Sequence, residues 1–545
     1  MPCLLARYAD QAASIVESLS TAEKVGRVFV FTLTSEVAAE NLLKLSPSGF
    51  IRLYTDALTA ARQHQRLREF ASYPLLIAAD FEKGVAPVVC GATEFGPSMA
   101  LAATDNPELT KAVAKAIALE ARAVGVNWNL MPTVDVNTDP RNPIINVRSF
   151  SDSPQTVEQH SIAFWQGCHQ GGVLACAKHF PGHGSTSVDS HLELPIIGLP
   201  REQLVNEHFG PFATLIHHGL EAIMIGHLSC PTLDPSGLPA TLSPTIANGV
   251  LRGELGFKGV VVSDALDMGA LTSRYSQEEI VVRAFLAGCD LLLMPADAQL
   301  AYHALLSAVE RGDVPRSRLD EAVHRIVSLS LFAEDLRANL CHETLTTNVD
   351  NLANTEHKKL SYEVARRSIT VLRGRQSSAS LQRKRVAVIS FSTTREGVFD
   401  YFYPKVFGDY CQRFGESTSS LYCGYLADER YDMPNIADEA VVRCLEADVV
   451  VLGIYARVAV ASGRIGFSER EHALMQRIFS VGKSIIVVLF GSPYLVQFIP
   501  ENVQLVYCTY GTSHAMQRVA AELLYGQAQA AGSLPVKLPG KDALR

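Results

Sequence analysis

The chain has 545 residues, with 48 Lys plus Arg against 56 Asp plus Glu and a formal net charge of -8. Hydrophobic residues make up 48% and charged residues 19%, which excludes a disordered or fibrous chain and argues against a broad nucleic-acid surface. So long a chain exceeds what one hydrophobic core usually fills, and two domains are expected.

In chain order, short apolar runs alternate with helix-like stretches. Val28–Thr32 and Leu75–Ala79 read as strands, and Glu108–Val124, rich in Ala, Leu, Glu and Lys, reads as a helix. Further strand candidates are Val173–Ala177, Ala222–Ile225, Gly259–Val262 and Asp290–Met294. They are short and apolar almost throughout, which suits parallel strands covered on both faces. Repeated βα units over this length predict an α/β fold with a (β/α)8 TIM-like barrel at 1–345. A connecting segment at 346–385 follows, with a helix at Glu356–Arg367, a strand at Ile369–Leu372 and a polar surface loop at Gln376–Arg385. Val386–Ser390, Val449–Ile454, Ser484–Leu489 and Val503–Cys508 then predict a smaller α/β layered sandwich domain at 386–545.

The eleven cysteines, from Cys3 through Cys341 to Cys508, are scattered and read as reduced thiols. Met1–Ser20 carries Arg7, Asp10 and Glu17 and does not read as a secretory leader. No uncharged apolar stretch reaches membrane-spanning length. A cytoplasmic protein without membrane or nucleic-acid partners is expected.

The chemistry gathers where strands end. Asp80, Lys178, His179, His227 and Asp264 each follow an apolar run closely, and in a barrel those ends converge on one face. Lys178–Pro195 (KHFPGHGSTSVDSHLELP) is a long loop in which Asp189 and His191, two apart, are spaced for a carboxylate to orient an imidazole. His183 lies in the same loop. The histidine spacing is irregular and no HExxH occurs, so neither a metal nor another cofactor is expected. Asp264 suits a nucleophile, a base or a helix cap; Asp80 suits a cap or a salt bridge; Arg148 suits a loop brace. Together these groups suit a polyhydroxylated ligand.

Read as a set, LSTAEKVGRVF, DFEKG, VNWNLMPTVDVNTDPRNPIINVRSFSDSP, the histidine loop and SDALDMGA resemble glycoside hydrolase family 3, nearest its β-N-acetylglucosaminidase branch in the two-domain form. The resemblance implies a retaining exo-β-N-acetylglucosaminidase acting on small soluble glycosides such as chitooligosaccharides or cell-wall fragments. By the same resemblance Asp264 is the nucleophile and His191 with Asp189 the acid/base dyad, with His183 the weaker candidate. Asp80, Arg148, Lys178 and His179 would hold the terminal sugar, with His227 and Met268 near it. Lys83 and Ser185 depart from the family pattern, which usually has glycine and aspartate there. The alternatives are a β-N-acetylglucosaminide phosphorylase, a β-glucosidase of the same family, and a non-catalytic sugar-binding protein. A homodimer is compatible with the sequence.

Overall fold

The computed structural model describes residues 4–338, 349–375, 381–393, 405–426, 435–456 and 465–540. Cys3, Cys341 and residues 376–380 of the expected surface loop lie outside the described residues. Contacts divide the chain into two units: Met1–Thr93, Thr110–Thr138 and Ser153–Asn354 form the first, and Glu94–Leu109, Asp139–Asp152 and Thr355–Arg545 the second.

The first unit is built on eight parallel strands: β1 (Phe29–Leu33), β2 (Gly49–Arg52), β3 (Leu76–Ala79), β4 (Trp128–Asn129), β5 (Ala177–Phe180), β6 (Ala222–Ile225), β7 (Val260–Ser263) and β8 (Leu292–Leu293). Ladders run β8-β1-β2-β3-β4 and β5-β6-β7. Parallel bridges Trp128–Leu174 and Thr133–Lys178 link β4 to β5, and Val262–Leu291 links β7 to β8, so the sheet curls into a barrel. Alternate residues of the strands, among them Val30, Ile51, Leu76, Ala78, Ala222, Met224, Val260 and Val262, share one core. That is the period of two expected where inward and outward side chains alternate.

The start of the barrel strands is held by polar residues placed just before them. Asn127 Oδ1 accepts the Ile77 N–H (2.7 Å), Glu221 Oε1 accepts the Ala175 N–H (2.6 Å), and Asp290 Oδ2 accepts the Val261 N–H (3.1 Å). Each side chain therefore ties the entry of its own strand to a neighbouring one.

The second unit carries a six-stranded sheet of β9 (Thr370–Arg373), β10 (Val386–Ser392), β11 (Thr418–Tyr425), β12 (Val449–Ala456), β13 (Ser484–Gly491) and β14 (Leu505–Cys508). Its order is β9-β14-β13-β12-β10-β11, parallel except for β9 against β14. Cores on its two faces are centred on Tyr455, Phe490 and Tyr507 and on Leu452, Val487 and Leu489. Met99, Ala100, Ala103 and Val147, from segments early in the chain, pack in the first of these. The helix Thr355–Ser368 and β9, expected in a connecting segment, belong to this unit.

Candidate active site

Asp80 follows β3, Lys178 and His179 lie in β5, His227 stands two residues beyond β6, and Asp264 follows β7. Parallel strands point these ends the same way, so the groups share the carboxyl-end face of the barrel. Lys178 and His179 were expected just after a strand at Val173–Ala177; the ladder instead starts at Ala177 and includes them. The apolar run before it is the buried approach to β5, held by the Trp128–Leu174 bridge.

Lys178 is buried, at 3% side-chain exposure, and a buried ammonium needs counter-charge. Its Nζ donates to Asp80 Oδ1 (2.7 Å) and lies 2.8 Å from Glu82 Oε1. Asp80 keeps 45% side-chain exposure and Glu82 16%, so of the two carboxylates on this fixed cation Asp80 is the open one. Glu82 was not singled out in the sequence, although it sits in the DFEKG stretch.

Asp135 is a second residue the sequence reading passed over. Fully buried, it accepts the His179 ring Nδ1–H (2.7 Å) and the backbone N–H of His183 (2.6 Å). Burial alone would raise its pKa; the facing His179, and then His183, bring it below the ordinary carboxylate value. With Nδ1 so engaged, Nε2 is the His179 ring nitrogen with no hydrogen bond among the described residues. Its signal was an aspartate flanked by valines just after β4, a pattern equally typical of a structural loop.

The two candidate histidines of the long loop separate cleanly. His183 has Nδ1 on Thr186 Oγ1 (2.7 Å) and Nε2 on Ser190 Oγ (3.1 Å), and it is buried. His191 places Nδ1 2.7 Å from Asp189 Oδ1, and the same oxygen accepts its backbone N–H (2.9 Å). Asp189 has no side-chain exposure while His191 retains 29%. The carboxylate fixes the tautomer, and the His191 Nε2 has no partner among the described residues. Ser185 is half-buried and its hydroxyl has no partner among the described residues.

Two close approaches explain the glycines here. A side chain on Gly184 would meet the Val136 carbonyl oxygen at 1.9 Å, so only glycine lets the loop lie on the β4 exit. One on Gly269 would meet the carbonyl oxygens of His191 and Leu192 at 2.7 and 3.0 Å. The Ala270 N–H also donates to the Ser190 carbonyl (3.3 Å). The dyad-bearing loop is thus docked on the residues that follow Asp264.

Asp264 is half-buried, and one of its oxygens accepts the Ala265 N–H (2.9 Å). Burial pushes its pKa up, but His179, then His227, the Ala265 N–H and His191 outweigh it, and the net shift is downward. The capping reading of Asp264 is not what is seen: the short helix Gly269–Thr272 starts after Met268, and no side chain caps it. Met268 is buried beside that turn. His227 is fully buried, with Nδ1 on Thr241 Oγ1 (2.7 Å) and Nε2 donating to the Ala265 carbonyl (2.8 Å). Both nitrogens are used, so it braces the peptide next to Asp264 and offers a ligand no polar atom. Arg148 lies in the second unit, on the 3-10 turn Asn146–Arg148, and its Nη1 donates to the Ile144 carbonyl (3.0 Å). Among the described residues, no group of three or more His, Cys, Asp or Glu side chains is placed to hold a metal ion, and no helix is long and apolar enough to cross a membrane.

Residues 14–329 match the family model for the N-terminal domain of glycosyl hydrolase family 3. The chain belongs to that family. It is a glycoside hydrolase, and it groups with the family's β-hexosaminidases. It is 31% identical over 535 residues to beta-hexosaminidase A of Pseudoalteromonas piscicida, covering 88% of this chain and 86% of that one. It is 32% identical over 375 residues to a beta-N-acetylglucosaminidase/beta-glucosidase of Cellulomonas fimi, covering 67% of this chain and 66% of that protein. Among solved structures, the family 3 beta-N-acetylglucosaminidase of Paenibacillus sp. str. FPU-7 superposes with a TM-score of 0.85 at 29% identity, over 96% of this chain and 99% of that one.

Proposed function

We propose that this family 3 hydrolase is a retaining exo-β-N-acetylglucosaminidase that removes a terminal N-acetylglucosamine from small soluble glycosides. The observation that carries the reading is the Asp189–His191 pair docked over the segment that follows Asp264. The names of its relatives in Pseudoalteromonas piscicida and Paenibacillus support the choice of sugar.

In this mechanism the ionised Asp264 attacks the anomeric carbon and forms a glycosyl ester. Protonated His191 gives its Nε2 proton to the departing glycosidic oxygen. The neutral ring then takes a proton from water as that water attacks the ester and frees Asp264. Asp189 holds the Nδ1–H throughout and stabilises the imidazolium. Asp80, Lys178 and His179 hold the sugar hydroxyls, with Glu82 and Asp135 fixing them.

A 5-fluoro N-acetylglucosaminyl fluoride, which keeps the 2-acetamido group, should trap the ester, and peptide mapping should find the label on Asp264. A label on another residue overturns the nucleophile assignment. Product analysis with aryl β-N-acetylglucosaminide and aryl β-glucoside, with and without phosphate, should give free N-acetylglucosamine as the main product. Faster turnover of the glucoside, or release of a sugar 1-phosphate, would overturn the substrate or the acceptor.

A further inference from the structure

We propose that His183 is a positioning residue for the reaction. It clamps Ser190, the residue between Asp189 and His191, and so sets where the acid/base imidazole stands. The inference rests on the reading of His191 as acid/base.

His183, Thr186 and Ser190 are 2%, 2% and 3% exposed, unusual for polar side chains of a connecting loop. Burial of this kind is costly unless each polar atom is paired. The pairing is complete at the ring: Nδ1 meets Thr186 Oγ1 and Nε2 meets Ser190 Oγ, one as donor and one as acceptor when the ring is neutral. The Thr186 hydroxyl donates to the His183 carbonyl (3.0 Å), so it accepts the Nδ1–H, and the Ser190 hydroxyl donates to Nε2; the clamp does not need a charged ring.

Ser190 is pinned from two directions. Its side chain is held by His183, in the first turn of the loop after β5, and its carbonyl accepts the Ala270 N–H beyond Asp264. The His183 backbone is anchored in turn, since its N–H donates to Asp135 Oδ1, while Asp135 Oδ2 takes the His179 Nδ1–H. One buried carboxylate therefore fixes both a sugar-holding imidazole and the root of the clamp. The His191 ring itself is partly exposed, so its position depends on what holds the backbone beside it.

The alternative is a clamp that only stabilises the fold. Leaving-group dependence separates the two, because only a poor leaving group needs the His191 proton. Ser190→Ala should lower kcat/KM about tenfold on methyl β-N-acetylglucosaminide and less than about twofold on the 2,4-dinitrophenyl glycoside. His183→Ala should show the same split with a larger loss, and Ser190→Ala with His183→Ala should lose no more than His183→Ala alone, because the two act through one contact. Thermal midpoints report folding in each variant. Equal losses on both substrates for Ser190→Ala, or no loss on either, would overturn the clamp. His191→Ala is the reference: if it lacks the split, the acid/base reading fails; if it shows the split and Ser190→Ala does not, the clamp alone fails.

Discussion

The two ends of the barrel bury the same chemistry for different purposes. At the strand entrances Asp290 meets Arg252 (2.5 Å), Arg318 (3.0 Å), Arg325 (3.1 Å) and the Val261 N–H. Glu221 there accepts from Trp165 Nε1 (3.0 Å), the Ala175 N–H and His169 Nε2 (3.0 Å). Both carboxylates are held below their ordinary pKa: burial raises it, but the three arginines at Asp290, and His169 with the N–H donors at Glu221, prevail. At the strand exits Asp264 is held ionised largely through space by histidines, and it is only half-buried. A carboxylate saturated by donors is a fastener; one kept ionised with lone pairs to spare suits the nucleophile proposed for Asp264.

Removing one carboxylate from each end sharpens that contrast. Asp264→Ala should cut kcat on an aryl β-N-acetylglucosaminide by about a thousandfold or more, with a far smaller loss of stability than Asp290→Ala. Asp290→Ala should do the opposite. It strands three guanidinium groups, and losing one partner of a buried ionic cluster costs about 3–5 kcal/mol. Denaturant titration should show that loss while kcat per folded molecule stays near that of the parent. If Asp290→Ala instead abolished turnover without loss of stability, the division between the two ends would be wrong.

His191→Ala tests the exit face alone. Proton donation contributes about a hundredfold to ten-thousandfold when the leaving group is poor, so methyl glycoside hydrolysis should fall in that range. The dinitrophenyl glycoside should lose less than about tenfold in kcat/KM, since its phenolate leaves unaided. Equal losses on the two would remove His191 from the acid/base role.

The legibility of the fold followed burial. Strands covered on both faces, such as β6 and β7, stand in the sequence as unbroken apolar runs, and so do β12 and β13. β2 was overlooked because it is four residues ending in Arg52, straight after a Pro/Ser turn. β11 was overlooked because it is an edge strand, mostly half-buried, whose TSSLYCGY pattern has no apolar run. The site divides in the same way. Residues at strand exits were visible because the strands were. The preference for His191 over His183 came with the family resemblance; in the structure the His191 Nδ1 meets Asp189, while both ring nitrogens of His183 are engaged by hydroxyls. Asp135 and Thr241 act on histidines distant in sequence, and no local pattern marks such a contact.

The smallest expected effect is one of pH. The Asp264 carboxyl is held below its usual value, so it is ionised above that lowered pKa and loses its nucleophilic form only as pH falls through it. An ordinary aspartate titrates at about 3.9, so this one should do so lower. On the dinitrophenyl glycoside, which does not need the His191 proton, kcat/KM should therefore change less than about twofold between pH 5 and pH 7. His179 is the largest influence drawing the Asp264 pKa down, so His179→Asn should move the acid limb upward. A limb near pH 6 in the parent enzyme on this substrate would mean that Asp264 is not held ionised by its neighbours. The contrast between the saturated and the open carboxylates would then need a different cause.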